Sequence, residues 1–231
     1  MVMTSEFNTM VEGFAEAKAS LEGTLASGRY STAYSHSNVF NYTTNTFECD
    51  CSGLIMELLR RARPDIRSHM ITHIPDVAIP PALNRIFKNE RPLVVHMWYY
   101  LAQHKDYFQE VDFADMRPGD ILIELNPVKQ NDASSSGHIM LINNVTPIEK
   151  RGVVTEWIVA VLDSTSKPHN PDTRGNDKKF ATGLGVGSIK IKRIKQRSID
   201  GNFTIGASWT WGSNSRTPRY KPLKVYRPLF D

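Results

Sequence analysis

Cysteine is scarce in this chain of 231 residues: there are two, Cys49 and Cys51, with one residue between them. A pair so placed builds no disulfide framework, so nothing calls for an oxidising compartment. No apolar run is long enough to cross a bilayer. Met1 to Tyr30 holds neither a basic segment followed by an apolar one nor a small-residue cleavage site. These absences lead to the expectation of a chain without a signal peptide, made in the cytoplasm and kept there or exported by a leaderless route. Basic and aromatic residues do not interleave, which speaks against base stacking and hence against nucleic acid. His69 and His73 have the i, i+4 spacing of metal ligands on one helix face, but no nearby cysteine or carboxylate completes a set. No metal or organic cofactor is expected. Repeats and low-complexity tracts are also missing.

What is present begins with charge. The net charge of +4 is unevenly placed: Ser188 to Asp231 carries ten Lys or Arg against Asp200 and Asp231, a balance of +8. Such a region suits an anionic polymer, although Lys and Arg on exposed strand faces also keep sheet edges soluble. Length and apolar content fit a single domain over 1–231, divided into an N-terminal helix within 1–30, a helical insertion over 63–115 and a sheet over 116–231.

The chemistry gathers at Asp50-Cys51-Ser52-Gly53-Leu54-Ile55. Leu54, Ile55, Leu58, Leu59 and Ala62 fall on one helical stripe that Pro64 ends. Asp50 is a favoured N-cap, which puts Cys51 in the first turn, where unpaired amides and the dipole favour a thiolate. The negative charge of Asp50 works against that anion. Cys49 is the alternative nucleophile, but it precedes the cap.

Elsewhere, Ser5 to Ala26 has an apolar helical stripe, and Tyr30 to Phe47 reads as a polar loop. Pro80 to Lys88 and Leu93 to Phe108 have helical spacing, the second with an aromatic face that reads as core. Beyond Arg117 the texture becomes strands: Ile121 to Leu125, Gly137 to Ile142 and Trp157 to Leu162, apolar on both faces. Gly183, Gly185 and Gly187 read as a turn, followed by a strand over Ile189 to Ile194; Gly206 to Trp211 and Leu223 to Tyr226 add two more.

Asp50-Cys51-Ser52-Gly53-Leu54-Ile55, followed by Arg117-Pro118-Gly119-Asp120-Ile121-Leu122 and Gly137-His138-Ile139, resembles the NlpC-type papain-like cysteine peptidases, the bacterial cell-wall endopeptidases. The resemblance implies an α+β, papain-like fold: a cysteine-bearing helix packed on an antiparallel sheet of five or six strands, here with a helical insertion. It also implies a substrate pocket lined by Tyr34 and Ser52, although Ser35-His36-Ser37-Asn38 departs from the aromatic and paired glycines that usually follow the tyrosine.

A hairpin links the strands that start at His138 and end at Asp163. If these two residues stand directly opposite, their Cβ atoms lie about 5 Å apart on one face, within reach of a hydrogen bond. His138 then serves as the base for Cys51, and Asp163 fixes its tautomer; His169, in a Pro-flanked loop, is the alternative orienter. The expected function is cysteine-dependent amide hydrolysis, by a peptidase or amidase acting on peptidoglycan stem peptides, with the basic C-terminal region available to an anionic cell-wall polymer. Two alternatives stand beside it: a papain-like acyltransferase or deamidase on another amide, and a non-catalytic protein that binds an anionic polymer.

Overall fold

The computed structural model describes residues 30–81, 83, 92–126, 136–150, 152–174, 182–197, 203–213 and 215–229, with scattered positions between 16 and 27. Glu16, Lys18 to Leu21, Gly23 and Leu25 are helical; the rest of the expected Ser5–Ala26 helix, and most of the one expected over Pro80–Lys88, lies outside the described residues.

The expected fold class does not hold. Among the described residues the protein is mostly β, with an eight-stranded antiparallel sheet and a separate three-stranded sheet. It is not the papain-like arrangement of a helix on five or six strands. One source of the error is the polar stretch Tyr30 to Phe47, read as a loop. It forms β1 (Ser31–Tyr34), β2 (Val39–Asn41) and, with Cys49, β3 (Thr46–Cys49), ordered β1-β3-β2. Phe47 and Cys49 point inward on β3 while Glu48 is exposed, so one short alternating strand anchors two polar edge strands.

α1 (Cys51–Ala62) starts where the sequence places it. Asp50 caps it by accepting from the Gly53 amide at 2.7 Å. Leu54, Ile55, Leu58 and Leu59 are fully buried, each contributing about 1.5–3 kcal/mol relative to exposure. Pro64 ends that helix and also opens α2 (Pro64–His73), where its missing N–H costs nothing at the first position. α3 (Val94–Gln103) is shorter than the expected Leu93–Phe108, because Phe108 begins an edge strand, β4 (Phe108–Val111).

The large sheet continues with β5 (Ile121–Leu125), β6 (Gly137–Lys150), β7 (Val153–Thr165), β8 (Gly183–Arg197), β9 (Phe203–Thr210), β10 (Pro218–Arg219) and β11 (Leu223–Pro228). Its order is β10-β9-β8-β7-β6-β5-β11-β4. The sheet curls, since Arg219 on the edge strand β10 makes a two-pronged contact with Glu124 on β5, at 2.8 and 3.1 Å. The outer face buries Ile121, Ile123, Ile139 and Leu141 against α1 and α3. The concave face holds a second core of Leu122, Met140, Trp157, Val159, Ile189 and Trp209.

The two sheets are stitched together by contacts distant in sequence. The Ser164 hydroxyl donates to the Cys49 carbonyl at 2.5 Å, the Tyr34 amide to the Thr182 hydroxyl at 3.2 Å, and the Leu184 amide to the Thr32 hydroxyl at 2.6 Å. No helix among the described residues is long and apolar enough to cross a membrane.

Candidate active site

At one end of the sheet the concave face turns from apolar to charged. Glu124, His138 and Asp163 continue the alternation of Leu122, Met140 and Val161 on β5, β6 and β7, so the pleat carries their side chains to the same side as the second core. Glu124 and Asp163 are essentially inaccessible, and His138 is nearly so.

His138 Nε2 lies 2.6 Å from Asp163 Oδ2. The strand register differs from the one assumed: Leu141 stands opposite Leu162, where the assumed pairing would put it opposite Ala160. A displacement of two residues keeps side chains on their original face, so His138 meets Asp163 diagonally rather than directly.

Asp163 is more heavily used than a simple orienter. Oδ2 also contacts His169 Nε2 at 2.9 Å, and Oδ1 accepts from Arg174 at 2.7 Å. Arg174 in turn bonds Asp172 and the Gly183 carbonyl. Burial alone would raise the Asp163 carboxyl, but the Arg174 guanidinium and His169 outweigh it and hold the group well below the usual carboxylate range. His169 thus supports Asp163, and no hydrogen bond joins it to His138, whose ring centroid is 6.4 Å away.

Gly185 and Gly187, expected in a turn, sit inside β8 and explain how this network fits. A Cβ on Gly185 would come within 2.5 Å of the Arg174 side chain, and one on Gly187 within 2.5 Å of His169 and 2.7 Å of Asp172. The glycines are the floor on which the 169–174 loop rests. Arg174, Asp172 and Trp211 were not singled out from sequence, and the glycine run was the one local signal that something packs closely there.

Cys51 sits at the first turn of α1, over the start of β6. Burial pushes its thiol up to about 12, and the Asp50 charge adds to the rise; the backbone amides of Ile139, next to His138, and of Ser52 offset only part of it. The thiolate-favouring dipole expected from sequence is therefore overcome by desolvation. Cys49 is likewise raised to about 12, chiefly by burial. Ser52 belongs to the cap: its hydroxyl donates to Asp50 Oδ1 at 3.0 Å, and the other Asp50 oxygen meets His36 Nδ1 at 2.8 Å. Gly53 is needed there because a Cβ would fall 1.9 Å from the Asn38 side-chain oxygen.

A cavity of about 220 Å³ opens beside His138, walled by Tyr34, Thr165, Lys167, Trp211 and Arg219 among others. Tyr34 and His138 line it, whereas Cys51 and Ser52, the latter expected beside Tyr34 in a substrate pocket, are not among its walls.

Two histidine groups bear on metal binding. His138, Asp163 and His169 present ligand atoms within 4.8 Å of one another, but the Arg174 cation already occupies the same carboxylate. His69 and His73 are stacked at 3.8 Å near His104, with the Nδ1 atoms of His73 and His104 held at the backbone carbonyls of His69 and Tyr100.

No family model matches this chain, and no solved structure matches it. An uncharacterized protein of Acanthamoeba polyphaga mimivirus is 28% identical over 179 residues, spanning 72% of this chain and 70% of that protein.

Proposed function

We propose that the chain is a cysteine-dependent amide hydrolase in which Cys51 is the nucleophile, His138 the base and Asp163 the orienter. The observation that carries the reading is the buried 2.6 Å contact between His138 Nε2 and Asp163 Oδ2, made at the wall of a cavity and one residue from the Ile139 amide that faces the Cys51 sulfur. With Nε2–H bound to the carboxylate, Nδ1 carries the lone pair that a base requires.

In the first half-reaction the Cys51 S–H proton passes to His138 as sulfur attacks the amide carbon. The resulting imidazolium donates that proton to the leaving amine, and a thioester remains. The backbone N–H of Cys51, at a helix N-terminus, is placed to bind the oxyanion. Water, deprotonated by His138, then releases the acid and restores the thiol. The resemblance of the Cys51, Pro118-Gly119-Asp120 and Gly137-His138 segments to NlpC-type peptidases makes peptidoglycan stem peptides the first substrate to test. Transfer of the acyl group to an amine instead of water would use the same residues.

Digestion of purified peptidoglycan followed by mass analysis tests the proposal. New peptide termini should form with the wild-type chain and not with Cys51→Ala. Equal fragments from both would refute the nucleophile assignment.

The basic C-terminal region divides into two sets. Lys192, Arg193, Arg219, Lys221, Lys224 and Arg227 pair with Glu156, Asp112, Glu124, Glu110 and Asp120, so six of its ten cations serve the fold. Lys190 and Arg216 instead line, with the Lys192–Glu156 pair, a cavity of about 460 Å³ that Ser208 and Thr210 also border. Any attraction to an anionic wall polymer is assigned to Lys190 and Arg216. It should weaken as ionic strength rises from about 0.05 to 0.5 M, and salt-independent retention on sacculi would remove this role.

A further inference from the structure

His169 differs from His138 in one respect that determines its charge. Its Nδ1 lies 2.8 Å from the Trp211 carbonyl oxygen and its Nε2 lies 2.9 Å from Asp163 Oδ2. A carbonyl oxygen has no proton to give, and neither has a carboxylate whose other oxygen is bound by Arg174 at 2.7 Å. Each contact therefore needs an N–H from the ring, and an imidazole with two N–H groups is an imidazolium. His138 makes only one such contact, through Nε2, among the described residues.

We propose that His169 is held as an imidazolium in the resting protein and that, with Arg174, it neutralises Asp163, the carboxylate that also holds His138. The charged groups facing His169 come from its own loop and from the strands around it. Asp172 Oδ2 accepts the His169 amide at 2.7 Å, Asp163 faces the ring from β7, Arg174 bridges the two carboxylates, and His138 lies across from β6. Trp211 covers the ring at 4.6 Å between centroids. Within this network Asp163 and Asp172 balance Arg174 and His169.

Two further observations agree. Burial works against charge on His169, yet Asp163 and the Trp211 carbonyl lift it above the ordinary histidine value. The Cys51 thiol is raised to about 12, chiefly by burial, so a resting thiolate is not favoured. The same protonation fills the compact His138, Asp163 and His169 group with N–H donors, which leaves no lone pair on His169 for a metal ion.

The inference rests on the proposed reaction only for the role of His138; the charge on His169 can be measured without activity. In protein labelled with ¹⁵N-histidine, the ring absent from the spectrum of His169→Gln should show two protonated nitrogens at pH 7.5 and lose one only above the ordinary histidine range. A ring with a single protonated nitrogen at pH 7.5 overturns the proposal, and this measurement on the wild-type chain decides it even if the variant does not fold. For the positioning role, His169→Gln removes a cation from beside Asp163, so the acid limb of kcat/KM should move to higher pH. A lower rate with an unmoved limb would mean that His169 only supports the fold. If Cys51→Ala stays active, the reaction assignment fails while the ring spectrum still stands.

Discussion

Two buried aspartates flank the candidate site, one at the start of α1 and one near the end of β7, and they are used in opposite ways. Asp50 caps a helix: its oxygens take the Gly53 amide, the Ser52 hydroxyl and the largely exposed His36. Its charge raises the Cys51 thiol. Asp163 is enclosed by Arg174, His169 and His138, and its charge is held far below the usual carboxylate range against the pull of burial. The same side chain is a local structural cap in one place and the centre of a long-range charge network in the other. What differs is the set of cations that the surrounding fold delivers to it.

Removing the groups each aspartate serves should separate the two regions most sharply. Cys51→Ala is expected to lower turnover on the order of 10⁴-fold or more, with an unchanged thermal transition, because the attacking atom is lost and Ala suits a helix. Cys49→Ala should keep most of the activity; steady-state rates of the two variants, with the roles reversed, would reassign the nucleophile.

Exchanging charge for shape at each aspartate comes next. Asp163→Asn strands Arg174 and His169 in the interior, so besides a fall in rate of about 10²- to 10⁴-fold it should cost about 3–5 kcal/mol by urea denaturation. An aspartate holding one histidine would have tolerated the change, as the sequence alone leads one to expect. Asp50→Asn, by contrast, keeps a good N-cap and should change stability by less than about 1 kcal/mol. Because it removes the second cause of the raised thiol, alkylation of Cys51 by iodoacetamide at pH 8 should become faster. Equal destabilisation by both substitutions would erase the distinction.

A smaller effect comes from the floor of the network. Gly187→Ala places a methyl group against His169 and Asp172 and should cost about 1–3 kcal/mol, with a loss of activity that tracks displacement of the loop. Folding without loss would mean that the loop rests elsewhere.

The smallest expected effect is the pH dependence of stability. The depressed Asp163 contributes stability that is present above its unfolded value of about 3.9 and is lost as pH falls through its lower folded value. The raised His169 contributes stability that is full below about 6.5 and is lost as pH rises through its higher folded value. Urea midpoints should therefore decline on both sides of a mildly acidic plateau, between about pH 4 and 6.5. Asp163→Asn should flatten both limbs, while Asp50→Asn should leave the alkaline one in place.

The parts of the fold legible in the sequence were those governed by local rules. Asp50 followed by an apolar stripe marked α1, and the mainly apolar run of Ile121 to Leu125, interrupted by Glu124, marked a strand covered on both sides. The pairing of His138 with Asp163 survived a wrong register because a shift of two preserves the face. Longer-range features were hidden. Nothing near Arg174 announces that it reaches Asp163, and the three glycines of β8 look like a turn until the side chains above them are known. The sheet of eight strands was undercounted because β4, β10 and the polar strands of the small sheet carry little apolar signal. Pro64 stops one helix and starts another, so a single punctuation mark hid α2.

The stitching between the two sheets also has a kinetic meaning. Cys49 meets Ser164 across 115 residues, Tyr34 meets Thr182 across 148, and Thr32 meets Leu184 across 152. Hairpins such as β6–β7 close over short loops and form early, whereas contacts between such distant segments must wait for the chain entropy between them to be overcome. During refolding, strand content should therefore return before the segment carrying Cys51 is fastened to the large sheet. Recovery of the contacts between the two sheets would lag recovery of the circular dichroism signal, and a half-folded chain would be a large sheet without the small one fastened to it.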